Sequence, residues 1–471
     1  MNVDLYQLPT NEQVTTLESD KISIYLGQSS GSVRKVGIKN LNGKSEAIWF
    51  EGDQPFFAIR TINGEKLSWK SVGASSKSVE FIATDSSGYN YHISYIINSS
   101  NGLLEIELSE INNNIKVKDK ELEIGTYWHK SDSLANRQNT LEFWSVSRGK
   151  NGKMSYKRHF TPSKQEKYVP RGTIMSVIAD RYFCEIIKFF DNKAQANAKL
   201  VPVAQNGVSA VMAANIHEED GSVMHGAWKI YIGPRDYFHL KESGVEDAFP
   251  IGFVGKIGLV LVFMLNGIAA MTKNYGAAII ILSGSISLLM APFTILGFRS
   301  MKKMQELKPH IDKLLAEHKG DSQRANKEVF ALYKENKVSP LSGCLPMFIQ
   351  MPIFIALFQA ISHHVGLRGA GFLWIKDLSL PDMVATLPVM LPLLGNHLNI
   401  LPIIMASAMY AQSKISQGRL PKDPSNPAAS MLSGPTMSIV FGIMFYQFPS
   451  GLVLYWLTNT LTTLMWYKVA G

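Results

Sequence analysis

The chain is 471 residues long, 46% hydrophobic and 18% charged, with a formal net charge of +9. That length exceeds one core and predicts two or three folding units. Two cysteines, Cys184 in the front half and Cys344 at the start of an apolar run, exclude a disulfide scaffold or a thiolate metal site, and the positive excess needs no nucleic-acid ligand because much of it flanks apolar runs, where Lys and Arg set topology.

The first residues, Met1-Asn2-Val3-Asp4-Leu5-Tyr6, have neither the basic nor the apolar stretch of an export signal. Asn-Gly pairs then recur at Asn42-Gly43, Asn63-Gly64, Asn101-Gly102, Asn151-Gly152 and Asn206-Gly207, a dipeptide suited to the tightest hairpin turns. After Asn101-Gly102, Leu104, Ile106 and Leu108 alternate with Glu105 and Glu107, and Tyr89 to Ile97 reads as the partner strand. Leu141 to Val146 and Met154 to His159 predict a second hairpin around Asn151-Gly152. Residues 15–235 are therefore expected to form an antiparallel β-sandwich. Its histidines lack metal-ligand spacing, its acidic residues mostly alternate with apolar ones as solvated strand faces do, and Gly27 to Gly31 lacks the helix and Lys-Ser/Thr of a phosphate loop.

From Ile251 the pattern changes. Ile257 to Met271 is apolar but short, and the expectation is a helix lying along the membrane surface. The competing count makes it a further span and moves the β head to the other side of the membrane. Gly276 to Phe298 is long enough to cross. Arg299 to Pro340 is basic, with Met304, Leu307, Ile311 and Leu314 at helical spacing, a break at Gly320-Asp321, and resumption at Val329, Leu332 and Tyr333, which predicts a charged helical hairpin. Further spans are expected at Leu341 to Ile361, Asn399 to Gln412, Met431 to Phe445 and Leu452 to Trp466. Ala385 to Gly395, with its prolines, is expected to rest in the outer interface. The hairpin and the Lys414 to Lys422 loop are basic and His363 to Met383 is nearly balanced, which places the former two in the cytosol and the β head outside.

No Asp, Glu, Lys or Arg falls in the middle of a core span, which counts against ion-coupled transport. The polarity there is uncharged: Ser283 and Ser287 on one helix face, Gln350, Gln359, Ser407, Gln412, and Thr458 to Thr463 around Asn459. Hydroxyls bonding their own helix explain each residue singly, and a wet groove explains them together. Met347, Met351, Met405, Met409, Met437, Met444 and Met465 fill packing gaps or offer an adaptable surface.

Several motifs carry a resemblance: Pro292-Phe293-Thr294 leading to Ser300-Met301-Lys302-Lys303-Met304; Ala331-Leu332-Tyr333-Lys334; Pro340 to Pro346 running into Gln350-Met351-Pro352-Ile353-Phe354; Leu373 to Ser379; and Phe448 to Trp456. In the head, Asp180-Arg181-Tyr182-Phe183 and Gly233-Pro234-Arg235-Asp236-Tyr237 add to it. Together they resemble the YidC membrane protein insertases over nearly the whole chain. The resemblance implies an α+β membrane protein of the bacterial inner membrane. Residues 1–245 would be a periplasmic antiparallel β-sandwich, 246–275 an interfacial amphipathic helix and linker, and 276–471 a five-helix transmembrane core with a cytosolic helical hairpin at 299–340. It also implies a non-enzymatic insertase and folding chaperone without cofactor or metal, acting on nascent membrane proteins within the lipid bilayer, alone or with the Sec translocon and the ribosome, and without sequence-specific nucleic-acid binding.

Ser283, Ser287, Gln350, Trp456 and Asn459 would line its hydrophilic groove, and Lys302, Lys303, Lys308, Tyr333 and Lys334 would receive clients on the hairpin. Where the family places a basic groove residue this chain has Ser287, and Arg299 lies about three turns further along, so a fixed charge for acidic client tails is not implied. Trp456 stands at the family's groove aromatic. An N-terminal anchor helix and a basic tail after Gly471 belong to the family pattern, so the expectation is a sequence trimmed at both ends or an unusual member of the family. Two other classes stay open on the residues alone. A membrane-anchored carbohydrate-binding sandwich would need clustered Trp, whereas Trp49, Trp69, Trp128, Trp144 and Trp228 are dispersed; a transporter would need intramembrane charge or an inverted repeat.

Overall fold

The computed structural model describes the chain outside residues 1–11, 40–47, 52–56, 62–66, 87, 89, 99–102, 111–121, 129–141, 150, 160–166, 169–172, 190–194, 204–206, 216–224, 319, 337, 339–344, 392–393, 418–434 and 471. It divides into two compact units, Met1–Pro250 and Ile251–Gly471.

The first unit holds two antiparallel sheets. One runs, in spatial order, Val14–Glu18, Ile22–Gly27, Val33–Ile38, Phe57–Thr61, Leu122–Trp128, Gly207–Asn215, Gln195–Val203 and Lys167–Tyr168, with Ile48–Glu51 also paired to Val33–Ile38. The other runs Met154–His159, Glu142–Arg148, Thr173–Ala179, Phe183–Phe189, His225–Pro234, Leu104–Glu110, Asn90–Ile97, Ser78–Thr84 and Ser68–Ala74. Both expected hairpins form: Ile97 pairs with Leu104, and Arg148 with Met154 across a turn in which Gly152 has φ +75°. The Asn-Gly pairs at 42, 63 and 101, and Asn206, lie outside the described residues. Period-two alternation has its expected effect, since Tyr91, Ile93, Tyr95 and Ile97 are buried while Glu107 is exposed. Tyr95 meets Phe57 edge-on at 6.2 Å and donates to the Gly31 carbonyl, which packs one sheet on the other.

Both head motifs are fasteners. Asp180 accepts from the backbone N–H groups of Tyr182 and Phe183 at 2.8 and 2.7 Å and so turns the chain between two strands. Asp236 caps α1, Tyr237–Glu242, by accepting from Phe238 and His239 N–H. Between them Arg235 pairs with Glu142 at 2.7 Å and lies over the Trp144 ring, whose Nε1 donates to the Ala248 carbonyl. The α1 segment is thus strapped across one sheet face, where Leu240, Val245 and Ala248 cover Val177, Ile186 and the buried, unpaired thiol of Cys184. Trp69, Trp144 and Trp228 are all core residues. Among the described residues no group of three or more His, Cys, Asp or Glu could hold a metal ion.

One acidic residue departs from the solvated-face expectation. Glu185 is 1% exposed, its register partners are Ile178 and Ile232, and neither carboxyl oxygen has a hydrogen-bond partner. Burial pushes its pKa well above the usual carboxylate range.

The second unit is helical: α2, Phe253–Thr272; α3, Tyr275–Glu306; α4, Lys308–Glu317; α5, Ser322–Glu335; α6, Leu345–His363; α7, Ile400–Gln417; α8, Pro435–Phe445; and α9, Ser450–Ala470. Lys273 takes a left-handed conformation and the Asn274 side chain caps α3, so two residues suffice to reverse the chain. Arg299 does not begin a new element: α3 runs on to Glu306, and the hairpin proper is α4 and α5, divided where Gly320 has φ +108°. Ala385–Leu391 and Gly395–Leu398 form a separate two-stranded hairpin.

Glu185 makes stability of the β unit depend on pH. Its folded pKa is raised, so the folded state binds the extra proton and stability falls as pH rises from the unfolded value, roughly 4.3, toward the folded one. Glu185→Leu is expected to raise stability at neutral pH by about 1–3 kcal/mol and flatten that slope. Urea midpoints from pulse proteolysis of the full chain check this, and an unchanged or lower midpoint would show that the carboxyl has a native partner.

Candidate functional site

Four contacts fix how α3 and α9 meet. Gly451 lies against Ile279, Ser283 Oγ donates to the Tyr455 carbonyl at 3.1 Å, Trp466 Nε1 donates to Ser287 Oγ at 3.1 Å, and Phe298 meets Tyr467 at 5.1 Å. The order rises along both helices together, so they run parallel. The start of α9 follows from its motif. Pro449 has no N–H to lose, and its carbonyl accepts the first helical bonds from Leu452 and Val453. A Cβ on Gly451 would stand 3.1 Å from the Leu378 carbonyl, so a side chain there would push the loop back by a few tenths of an ångström. Ser450 Oγ donates to the Asp377 and Leu380 carbonyls.

A second pair is α2 with α6. A Cβ on Gly258 would meet the Ala356 carbonyl at 3.1 Å, and Asn266 Oδ1 bonds His364 Nε2 at 2.8 Å, so these two also run in one sense. The open face of α2 carries Phe253, Val260, Phe263 and Met271, so the helix is apolar on both its packed and its open side.

The seam between α6 and α9 is where the expected site residues fall. Gln350 Nε2 donates to the Tyr455 hydroxyl at 2.6 Å, and one turn on, Phe354 meets Trp456 edge-on at 4.8 Å. Phe441 and Phe445 from α8 close on the same indole at 5.6 and 5.3 Å. Tyr455 therefore joins three helices: its carbonyl takes Ser283 of α3 and its phenol takes Gln350 of α6. Ser283 and Gln350 converge on it, Trp456 sits in the aromatic cluster beside it, and Ser287 lies apart, buried against Trp466. Asn459 is half-buried, and its carbonyl accepts from the Thr462 and Thr463 hydroxyls.

Tyr455 and Trp466 escaped the sequence reading. Their signal was present, since a phenol or an indole N–H inside an apolar helix must find an acceptor. On the hairpin side, Lys302, Lys303 and Lys334 are exposed and Lys308 half-buried. Tyr333 packs with Phe298 and Leu307 on Met304 and Val338, and burial raises its pKa.

A sequence profile of the 60Kd inner membrane protein family matches residues 267–469. A relative from Endomicrobium trichonymphae, named membrane protein insertase YidC, is 28% identical over 98% of this chain and 85% of its own length. Another of that name, from Geotalea uraniireducens, is 31% identical over 88% of this chain and 74% of its own. A solved structure of an active YidC insertase with its first transmembrane domain resolved covers 98% of this chain and 94% of that one at 17% identity and a TM-score of 0.40.

Tyr455→Phe removes the acceptor of the half-buried Gln350 amide and is expected to cost on the order of 1 kcal/mol of helical-unit stability. Ser283→Ala should cost less, because the Tyr455 carbonyl stays within its helix. Thermal unfolding in detergent ranks the two, and the reverse order would contradict Tyr455 as the junction.

Proposed function

The chain belongs to the YidC family of membrane protein insertases, and we propose that it works through the seam between α6 and the α8–α9 pair. It is a membrane protein insertase of the inner membrane. The observation that carries the groove reading is the Gln350–Tyr455 bridge with the aromatic cluster beside it. The Gln350 amide and the Tyr455 phenol lower the desolvation cost of a polar client tail entering lipid, Ser283 holds Tyr455 from behind and Ser287 supports the wall under Trp466, and the client's apolar segment gains by burial against Phe354, Trp456 and Phe441. Asn459 extends the polar strip along α9. The basic α3 end and hairpin, with Lys302, Lys303, Lys308, Tyr333 and Lys334, receive the client. The chaperone role and the work with the Sec translocon and ribosome belong to the same proposal, and no catalytic step is assigned.

For topology, α3, α6, α7, α8 and α9 are the five spans, with the hairpin cytosolic, the β unit periplasmic and α2 in the outer interface. A second topology is favoured by one observation, the alignment of α2 along α6. In that arrangement α2 crosses and the β unit is cytosolic. Lys77 and Lys313 are both exposed. A membrane-impermeant maleimide outside intact spheroplasts is expected to label Lys77→Cys and spare Lys313→Cys. Labelling of neither position from outside, with both reacting after lysis, would establish the crossing α2.

The function is tested by insertion of a single-span client with a short acidic tail into liposomes holding only this protein, beside a Ser287→Arg variant. Insertion by the unmodified chain, at least several-fold above empty liposomes, is expected. Insertion by the variant alone would show that the groove needs a fixed charge, and failure of both would overturn the seam as the site.

A further inference from the structure

We propose that the connection between α6 and α7 is itself seated in the bilayer, its apolar side chains occupying the phospholipid interface of the leaflet at which those helices end. The proposal rests on the membrane placement of the helical unit.

Residues 364–399 leave the end of α6, receive the start of α9 through Ser450, and deliver the chain to α7. Two pieces project. In the first, Phe372 and Ile375 exchange both backbone hydrogen bonds at 2.8 Å, which leaves Leu373 at φ 53° and 76% exposed, with Trp374 exposed beside it. A bulky residue held at positive φ is unfavourable, and in water the turn would gain nothing from presenting leucine there. The second is the Ala385–Leu391 and Gly395–Leu398 hairpin, whose sheet has two strands among the described residues. It exposes Val389 and Met390, each 63%, with Val384 at its base. An isolated two-stranded hairpin is marginal in water, so something covers these faces.

The chemistry favours lipid over protein as that cover. Residues 384–399 contain no Asp, Glu, Lys or Arg, and both ends of the connection continue into apolar helices that leave Met351, Ile355, Ile403 and Ile404 exposed. A Trp with its ring exposed and its N–H engaged suits the interfacial belt. The open edges of the hairpin fix the depth: unpaired backbone N–H and C=O groups cannot enter the hydrocarbon centre, so the seat is interfacial.

The two pieces move as one. Trp374 Nε1 donates to Asp382 Oδ2 at 3.2 Å, and the same oxygen accepts the Ile400 and Leu401 N–H groups at 2.9 Å in the first turn of α7. The depth of the seat therefore sets the height of α7 in the membrane.

The test is spin-label accessibility of Leu373→Cys and Met390→Cys, each in a Cys184→Ala, Cys344→Ala chain reconstituted in phosphatidylethanolamine and phosphatidylglycerol vesicles. Leu296→Cys on the open face of α3 is the lipid reference and Lys313→Cys the water reference. Collision with oxygen is expected to exceed collision with a nickel chelate several-fold at both test positions, as at Leu296. Nickel dominance at either, as at Lys313, overturns the proposal, and so does shielding from both reagents, which would mean a protein cover. Nickel dominance at Leu296 itself would remove the membrane placement and the proposal with it.

Discussion

A polar group inside a bilayer has no water to bond, and the helical unit is organised around that constraint. No Asp, Glu, Lys or Arg falls in the middle of its long apolar helices, so there hydroxyls and amides decide which helices are merely packed and which are tied. Ser285, Thr294, Ser407, Thr458, Thr460, Thr462 and Thr463 each donate to the carbonyl four residues before them, which hides the hydroxyl within its own helix. Ser283, Gln350 and Trp466 instead donate across, and those three bonds set the register of α9 against α3 and α6. Remove them and the apolar surfaces could slide, because Leu and Ile packing against lipid-like neighbours specifies position weakly.

The same constraint governs the helix ends. The first N–H groups of a helix lack partners, and at the face shared by the end of α6 and the starts of α7 and α9 each finds a side chain or carbonyl. Asp382 takes those of Ile400 and Leu401, Asn399 N–H donates to the Tyr446 hydroxyl at 3.1 Å, and Gly451 N–H reaches the Leu378 carbonyl. The motifs that look like signatures in the linear chain are in large part these fasteners. Pinned in this way, the starts of α7 and α9 and the end of α6 keep their places at that face.

The β unit works on the opposite principle, with water available on its outer faces and polar residues used at turns. Asp180, Arg235 and Asp236 were legible in the sequence as motifs, but their work as turn former, ring-stacked cation and helix cap needed coordinates. The hairpins at Asn90–Ile97 with Leu104–Glu110 and at Glu142–Arg148 with Met154–His159 were readable because alternation and turn residues are local. Glu185 was not, since flanking apolar residues on both sides of it, Cys184 and Ile186, look the same whether one strand face or both are covered.

What the sequence alone determined is what depends on neighbours along the chain: the division near Ile251, the strands, the helices, the basic hairpin and the family. Tertiary structure decided which of the polar residues meet. Ser283 and Gln350 were expected to share a groove, yet Tyr455, through which they meet, lies 172 and 105 positions away from them. Helical periodicity says which residues share a face, while the rotation and axial register of one helix against another come from packing summed over its whole length. That is why the junction at Tyr455, the burial of Ser287 under Trp466 and the alignment of α2 on α6 were visible only once the chain had folded.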